Sequence, residues 1–138
     1  MIVLDTNVLS ELMKARPERS VVNWIGEHKT ADLFITALTQ GEILYGLEIL
    51  PSGKRRTALK ESARAMFEQD FARRILPFDT NAVKLFAIIV ANRKKTGFPI
   101  SQIDAPIAAI AVLHNATLAT RNIKDFKKCG IDIINPWE

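Results

Sequence analysis

Five short stretches, Met1–Asp5, Leu33–Thr36, Arg74–Phe78, Thr117–Thr120 and Ile131–Ile134, are apolar runs that each end at a polar or turn-forming residue. Several are apolar at successive positions rather than alternate ones. A strand that is apolar on both faces must be covered on both, which is the condition of a parallel sheet held between helices. The segments between supply that cover, with helical patterns near Asn7–Lys14, Pro17–His28, Gln40–Leu50, Lys54–Arg73, Asn81–Lys95 and Asp104–Asn115. The order predicts one α/β domain over residues 1–138, with a mostly parallel central sheet of about five strands flanked by helices in three layers. Pro17 suits a first helical turn, Pro51-Ser52-Gly53 separates two helices, and Lys94-Lys95-Thr96-Gly97 reads as a basic last turn closed by glycine.

Composition narrows the function. With 48% hydrophobic and 25% charged residues the chain can build a real core, and no apolar run approaches the roughly 18 residues of a membrane span. Asp5 interrupts the first apolar stretch before a secretory signal could develop, so the expected location is the cytoplasm. The lone Cys129 cannot form an internal disulfide and is expected to be inert. Lys and Arg outnumber Asp and Glu by 19 to 15, a net charge of +4 that suits an anionic partner.

The charge at Asp5, directly after Ile2-Val3-Leu4, needs an explanation. In open parallel sheets ligands bind beyond the carboxyl ends of the strands. Asp5 stands at such an end, Glu42 lies a few residues past the second strand, Asn122 and Asp125 follow the fourth, and Asp104 opens its own helix. Distant segments thus bring acidic and amide oxygens to one sheet edge. Capping offers another reading, because Thr39-x-x-Glu42 and Ser101-x-x-Asp104 both match a capping box. Pro106 sits more comfortably if Asp104 itself is the N-cap. Thr6 or Asn7 is expected to cap the first helix, which would leave the Asp5 carboxylate without a structural duty.

Several carboxylates and little else suit hard Mg²⁺ or Mn²⁺ ions, which take oxygen ligands and are held jointly by protein carboxylates, water and substrate phosphates. Such a site fits phosphodiester hydrolysis. Other chemistries lack their parts: there is no Gly-rich phosphate loop, no G-x-S-x-G elbow and no Cys/His zinc spacing. His28 and His114 both fall near helix C-termini, where a structural role is expected. Basic residues gather at Lys54-Arg55-Arg56, Arg73-Arg74, Arg93-Lys94-Lys95, and at Arg121, Lys124, Lys127 and Lys128. The last group flanks Asn122 and Asp125 and so could hold a phosphate backbone beside the acids.

LDTNVLSEL at the start, TQGEILYGL around Glu42, IDAPIAAIA around Asp104, and LATRNIKDF followed by INPW together resemble the PIN-domain ribonuclease toxins of toxin–antitoxin modules, the VapC-like family. The resemblance runs from Met1 to Trp137. It implies a metal-dependent endoribonuclease, homodimeric, neutralised by a cognate antitoxin, and acting on transfer or ribosomal RNA. By the family's pattern Asp5, Glu42 and Asp104 occupy acidic metal-site positions. Asn122 stands where many relatives carry aspartate, so Asn122 or Asp125 completes the shell, or water does. Asp5 and Asp104 are then the expected direct ligands, with Glu42 binding metal or orienting its water. Arg121 and Lys124 would position the RNA strand, with Thr120 offering a hydrogen bond to phosphate or site water.

The nearest rival enzyme, a haloacid-dehalogenase-like phosphatase, wants a second aspartate two residues after the first, where this chain has Asn7. A receiver-type domain is a third class, but no aspartate follows a third strand near the middle of the chain in the way that class requires. A non-catalytic binding scaffold is the remaining class, separated from the enzymes by metal-dependent cleavage of RNA.

Overall fold

In the computed structural model, which describes residues 1–138, the strands are β1 (Ile2–Leu4), β2 (Leu33–Thr36), β3 (Ile75–Leu76), β4 (Thr117–Ala119) and β5 (Ile133–Ile134). They form one sheet of order β3-β2-β1-β4-β5 in which every neighbouring pair is parallel. All five expected strands are present, most of them shorter than the apolar runs that announced them. The helices are α1 (Thr6–Leu12), α2 (Arg19–Gly26), α3 (Ala37–Glu48), α4 (Lys54–Ala65), α5 (Thr80–Lys95), α6 (Asp104–Leu113) and α7 (Ile123–Phe126).

The double-sided apolar character of the strands is used as expected. Val3 packs into one core with Ile89 of α5, Ile107 and Ile110 of α6 and Phe126 of α7. Its neighbour Leu4 points the other way, into a second core with Leu9 of α1, Val21 of α2, Ile43 of α3 and Ala63 of α4. Successive side chains of a strand leave on opposite faces, so one dipeptide anchors both outer layers. No helix is long and apolar enough to cross a membrane.

Several helix boundaries differ from the sequence reading, each for a local reason. Pro17 lies outside α2, which begins only after Glu18. α4 does not continue as a regular helix to Arg73: after Ala65 it widens into a π turn over Met66–Asp70, and Arg73 takes a left-handed φ of 64°. α6 ends where Asn115 adopts φ 51°, with Ala116 N–H bonded to the Ala111 carbonyl at 2.9 Å and Asn115 N–H to Val112 at 3.0 Å. Asparagine tolerates the left-handed conformation that closes a helix in this way. α3 is capped by Thr36, whose buried hydroxyl accepts from Thr39 N–H at 3.2 Å.

Because α3 carries Glu42, that cap tests how local structure supports the site. Thr36→Ala should cost about 0.5–2 kcal/mol, since it leaves a buried donor unpaired at the helix start. Urea unfolding of the two proteins measures it.

Candidate active site

The chain runs β1, β2, β3 outward on one side and then returns to place β4 on the other side of β1. The direction of strand order reverses between β1 and β4, and in such sheets the crevice for ligands opens at that point. Asp5 and Thr120 sit there, one residue past each strand.

Asp5 keeps an extended backbone and donates its N–H to the Ala119 carbonyl at 2.9 Å, prolonging the sheet by one bond. Its Oδ1 accepts from Thr6 N–H at 2.8 Å, so Asp5 itself caps α1. This corrects the expectation that Thr6 or Asn7 would take that duty: the strand ends where the helix begins, with no spare residue between. Capping uses one oxygen only. Oδ2 accepts from the Thr120 hydroxyl at 2.8 Å and from Asn7 Nδ2 at 3.2 Å. The side chain is 4% exposed, yet none of the protein's ion pairs involves it. Burial pushes the Asp5 carboxyl up to about 6, against the downward pull of the Thr120 and Thr6 hydrogen bonds, and Asp104 and Glu42 add to the rise.

Glu42 is not the partner in a capping box with Thr39. Thr36 is the cap, Thr39 lies buried in the first turn, and Glu42 falls one turn further on. The Thr6 hydroxyl donates to Glu42 Oε1 at 2.6 Å and stands 3.0 Å from Thr39 Oγ1, tying the start of α1 to α3. At α6 the capping expectation is half met: Ser101 Oγ accepts from Asp104 N–H at 3.0 Å, but the reciprocal bond is not made. Asp104 is therefore not its own N-cap, because the turn that leads into α6 already starts at Ser101. Burial raises the Asp104 carboxyl above its ordinary range, opposed by the Ser101 hydroxyl, reinforced by Asp125 and Glu42, and eased by Arg93.

The three carboxylates open into one polar cavity of about 430 Å³, whose wall also carries Asn122 and Arg121. Asn122 occupies the N-cap position of α7 without using its side chain as a cap, so its amide is free to face the cavity. Asp125 is exposed and does not line the cavity; it reaches the site as a charge acting on Asp104. Thr120 is corrected from a phosphate contact to a support: it is fully buried, its proton goes to Asp5, and its oxygen accepts from Asn7 Nδ2 and Asn122 N–H. Lys124 lines a different cavity.

Sequence reasoning missed part of the wall. Asn7, Ser10, Glu11 and Lys14 line it along one side of α1 and the turn after it, and their spacing of three, one and three is the helical pattern that could have found them. Glu11 is buried, accepts from Lys14 Nζ at 2.9 Å and from Glu18 N–H at 3.0 Å, and these partners hold its carboxyl below the usual range. Trp137 also lines the cavity, and the Arg121 guanidinium stacks 5.0 Å from its ring centroid. Trp137 Nε1 is buried without a partner, which no sequence pattern foretold.

A family model for the PIN domain matches residues 2–131. The chain belongs to the PIN-domain family. Within it the resemblance is to the VapC-like toxins. The VapC ribonuclease Y4jK of Sinorhizobium fredii is 44% identical over 138 residues, 100% of this chain and 99% of that one. The crystal structure of FitAcB from Neisseria gonorrhoeae contains a chain 36% identical with a TM-score of 0.95, covering 100% of this chain and 99% of its own. DNA-bound VapBC from Salmonella typhimurium matches at 26% identity and a TM-score of 0.79, over 98% of this chain and 97% of that one.

The donor set of this PIN-domain cavity is oxygen only: carboxylates, amides and hydroxyls, with no thiol or imidazole in the wall. That chemistry fits a hard divalent cation. No three His, Cys, Asp or Glu side chains stand together as a ready cage for one ion. The fit is therefore of the open kind, in which one or two carboxylates share the ion with water and substrate phosphate.

The raised pKa of Asp5 has a direct consequence for the metal-free protein. A folded-state value of about 6 against an ordinary 3.8 means the fold binds this proton more tightly than the unfolded chain. Stability from Asp5 is thus fully present below about pH 4 and is lost as pH rises through about 6, a swing of at most about 3 kcal/mol. Asp5→Asn should flatten this part of the profile and leave the protein as stable as the parent, or more so, near pH 7. Urea titrations with chelator across that range check both statements.

Proposed function

We propose that this protein is a divalent-metal-dependent endoribonuclease, the toxin of a toxin–antitoxin pair, which cleaves transfer or ribosomal RNA. The observation that carries the reading is Asp5: a buried carboxylate with no cationic partner, facing Glu42 and Asp104 across a polar cavity. Its capping duty needs only a neutral acceptor, which asparagine would supply, whereas burial disfavours the charged form, so the carboxylate itself points to chemistry. The relatives support the class of reaction, since one is named a ribonuclease and others are FitAcB and VapBC assemblies.

Asp5 and Asp104 would hold Mg²⁺ or Mn²⁺ through their oxygens, with Glu42 as a further ligand or as the group that orients the attacking water. When bound, the metal lowers the pKa of that water and neutralises charge gathering on the phosphorus oxygens. The chain's own contribution is position. Thr120 and Asn7 fix Oδ2 of Asp5, and Thr6 fixes Glu42. Arg121, held against the Trp137 ring, presents a preorganised guanidinium for the scissile phosphate. Lys14 is engaged by Glu11 and adds positive charge to the same wall.

An antitoxin would silence this site by sending a basic side chain to the acids and laying an apolar helix against the toxin. Exposed apolar side chains on α3, Leu44 and Tyr45, and on α5, Val83 and Ile88, supply surface for the homodimer that the family implies. The working compartment is the cytoplasm, where these RNAs reside.

Purified protein incubated with total cellular RNA and Mg²⁺ or Mn²⁺ should cut it, and chelator should stop the reaction. Asp5→Asn should lower cleavage by on the order of a hundredfold or more, the scale of loss when reacting groups fall out of position. Glu42→Gln should cut the rate while leaving the unfolding midpoint almost unmoved. RNA cleavage at the parent rate by folded Asp5→Asn would overturn the proposal. The fourth position gives a finer test: Asn122→Asp should lower the metal concentration for half-maximal cleavage by adding charge to a wall position. Asp125→Asn should raise that midpoint only slightly, because Asp125 lies outside the cavity wall and reaches Asp104 as a charge alone, and a large rise would put it among the ligands.

A further inference from the structure

Outside the acidic cavity, α5 ends against the far end of α7 in a second, basic cavity of about 360 Å³ lined by Arg93, Phe98, Lys124, Lys127 and Lys128. The end of α5 is closed tightly. Gly97 takes φ 80°, its N–H bonds to the Lys94 carbonyl at 3.2 Å, and Phe98 N–H bonds to the Arg93 carbonyl at 2.9 Å. A residue placed like Phe98 usually folds its apolar side chain back onto the helix. Phe98 does not: its side chain joins neither core, and the residue is 57% exposed.

The frame around it is rigid. The Arg93 guanidinium, only 5% exposed, donates to the carbonyls of Phe98, Asp125 and Lys127, the last two at 2.8 and 3.0 Å. One buried cation thus joins the end of α5 to α7 through backbone carbonyls, and it also donates to Cys129 Sγ at 3.3 Å. Lys128 is held at a left-handed φ of 61°, uncommon for lysine, and its ammonium stands 4.6 Å from the Phe98 ring centroid. None of Lys124, Lys127 and Lys128 is paired with a carboxylate.

We infer that Phe98, Lys124, Lys127 and Lys128 form a nucleotide subsite that stacks one unpaired base of the RNA strand and holds its flanking phosphates. An aromatic face beside unpaired cations is the combination by which proteins hold single strands without reading sequence. An acidic peptide would use the lysines but gain nothing from the ring. A duplex keeps its bases stacked on each other, so the subsite selects unpaired RNA. The four-residue α7 links it to the acids: Asn122, before its first residue, lines the acidic cavity, and Lys127, after its last, lines the basic one. A strand gripped here is led toward the cleavage position.

This inference rests on the ribonuclease reading, and the two can fail separately. The probe is a short fluorescein-labelled single-stranded RNA of mixed sequence, bound to the full-length protein in chelator and followed by anisotropy. Phe98→Ala and Phe98→Leu should each weaken binding about tenfold, as loss of one stacked base does, while Phe98→Tyr keeps the parent affinity. Thermal unfolding of all three should stay at the parent value, because Phe98 packs in neither core. Lys124→Ala combined with Lys127→Ala should reduce the slope of log affinity against log salt by about 1.4, two single-strand contacts. Parent affinity in folded Phe98→Ala overturns the subsite, as does a loss confined to binding of the antitoxin. If the parent protein neither binds nor cuts RNA, both readings fall; if it cuts RNA and Phe98→Ala does so with unchanged KM, only the subsite falls.

Discussion

The site depends on one contact: the hydrogen bond from the Thr120 hydroxyl to Asp5 Oδ2, made across the two strands where the sheet order reverses. Everything near it is arranged by that meeting of β1 and β4. Because Asp5 continues the sheet through its backbone and starts a helix through one carboxylate oxygen, the other oxygen has a fixed direction. Thr120 then collects Asn7 and Asn122 on its own oxygen, and Thr6 carries the order on to Glu42. A chain of hydroxyls and amides thus places the free atoms of two acids that are far apart in sequence. Such supporting shells commonly matter almost as much as the groups they orient.

The arrangement also explains why a costly group is tolerated. A carboxylate that is 4% exposed, with no basic partner, lowers the stability of the empty protein near neutral pH. Two apolar cores, one on each face of the sheet, supply the reserve against which that cost is set. Burial raises the Asp104 carboxyl as well, so the cost gathers at the cavity where the acids meet.

The fold was largely legible because its signal is redundant: strands apolar on both faces allow few architectures, and all five are where the sequence places them. Helix ends were less legible, since they depend on hydrogen bonds between residues that patterns treat singly. Asp5, Thr36 and Ser101 took the capping roles that the sequence reading had offered in part to Thr6, Asn7, Thr39 and Asp104. The principal acids were visible because parallel strands deliver side chains to one edge, and the structure brings Asp5, Glu42 and Asp104 to one cavity. The supporting wall was not. Trp137 reaches Arg121 only through tertiary packing, and Glu11 looks like any surface glutamate until α1 turns it inward.

The two outermost strands, β3 and β5, are each only two residues long. An edge strand leaves a row of backbone donors and acceptors unmatched, and a long, flat one invites other chains to add on. Here the border offers about one register of pairing on either side, too little to template a stranger. Apolar association is therefore left to helix faces, where fit depends on side chains and can be selective. The shortness of those borders is a safeguard against edge-to-edge addition, written into the backbone.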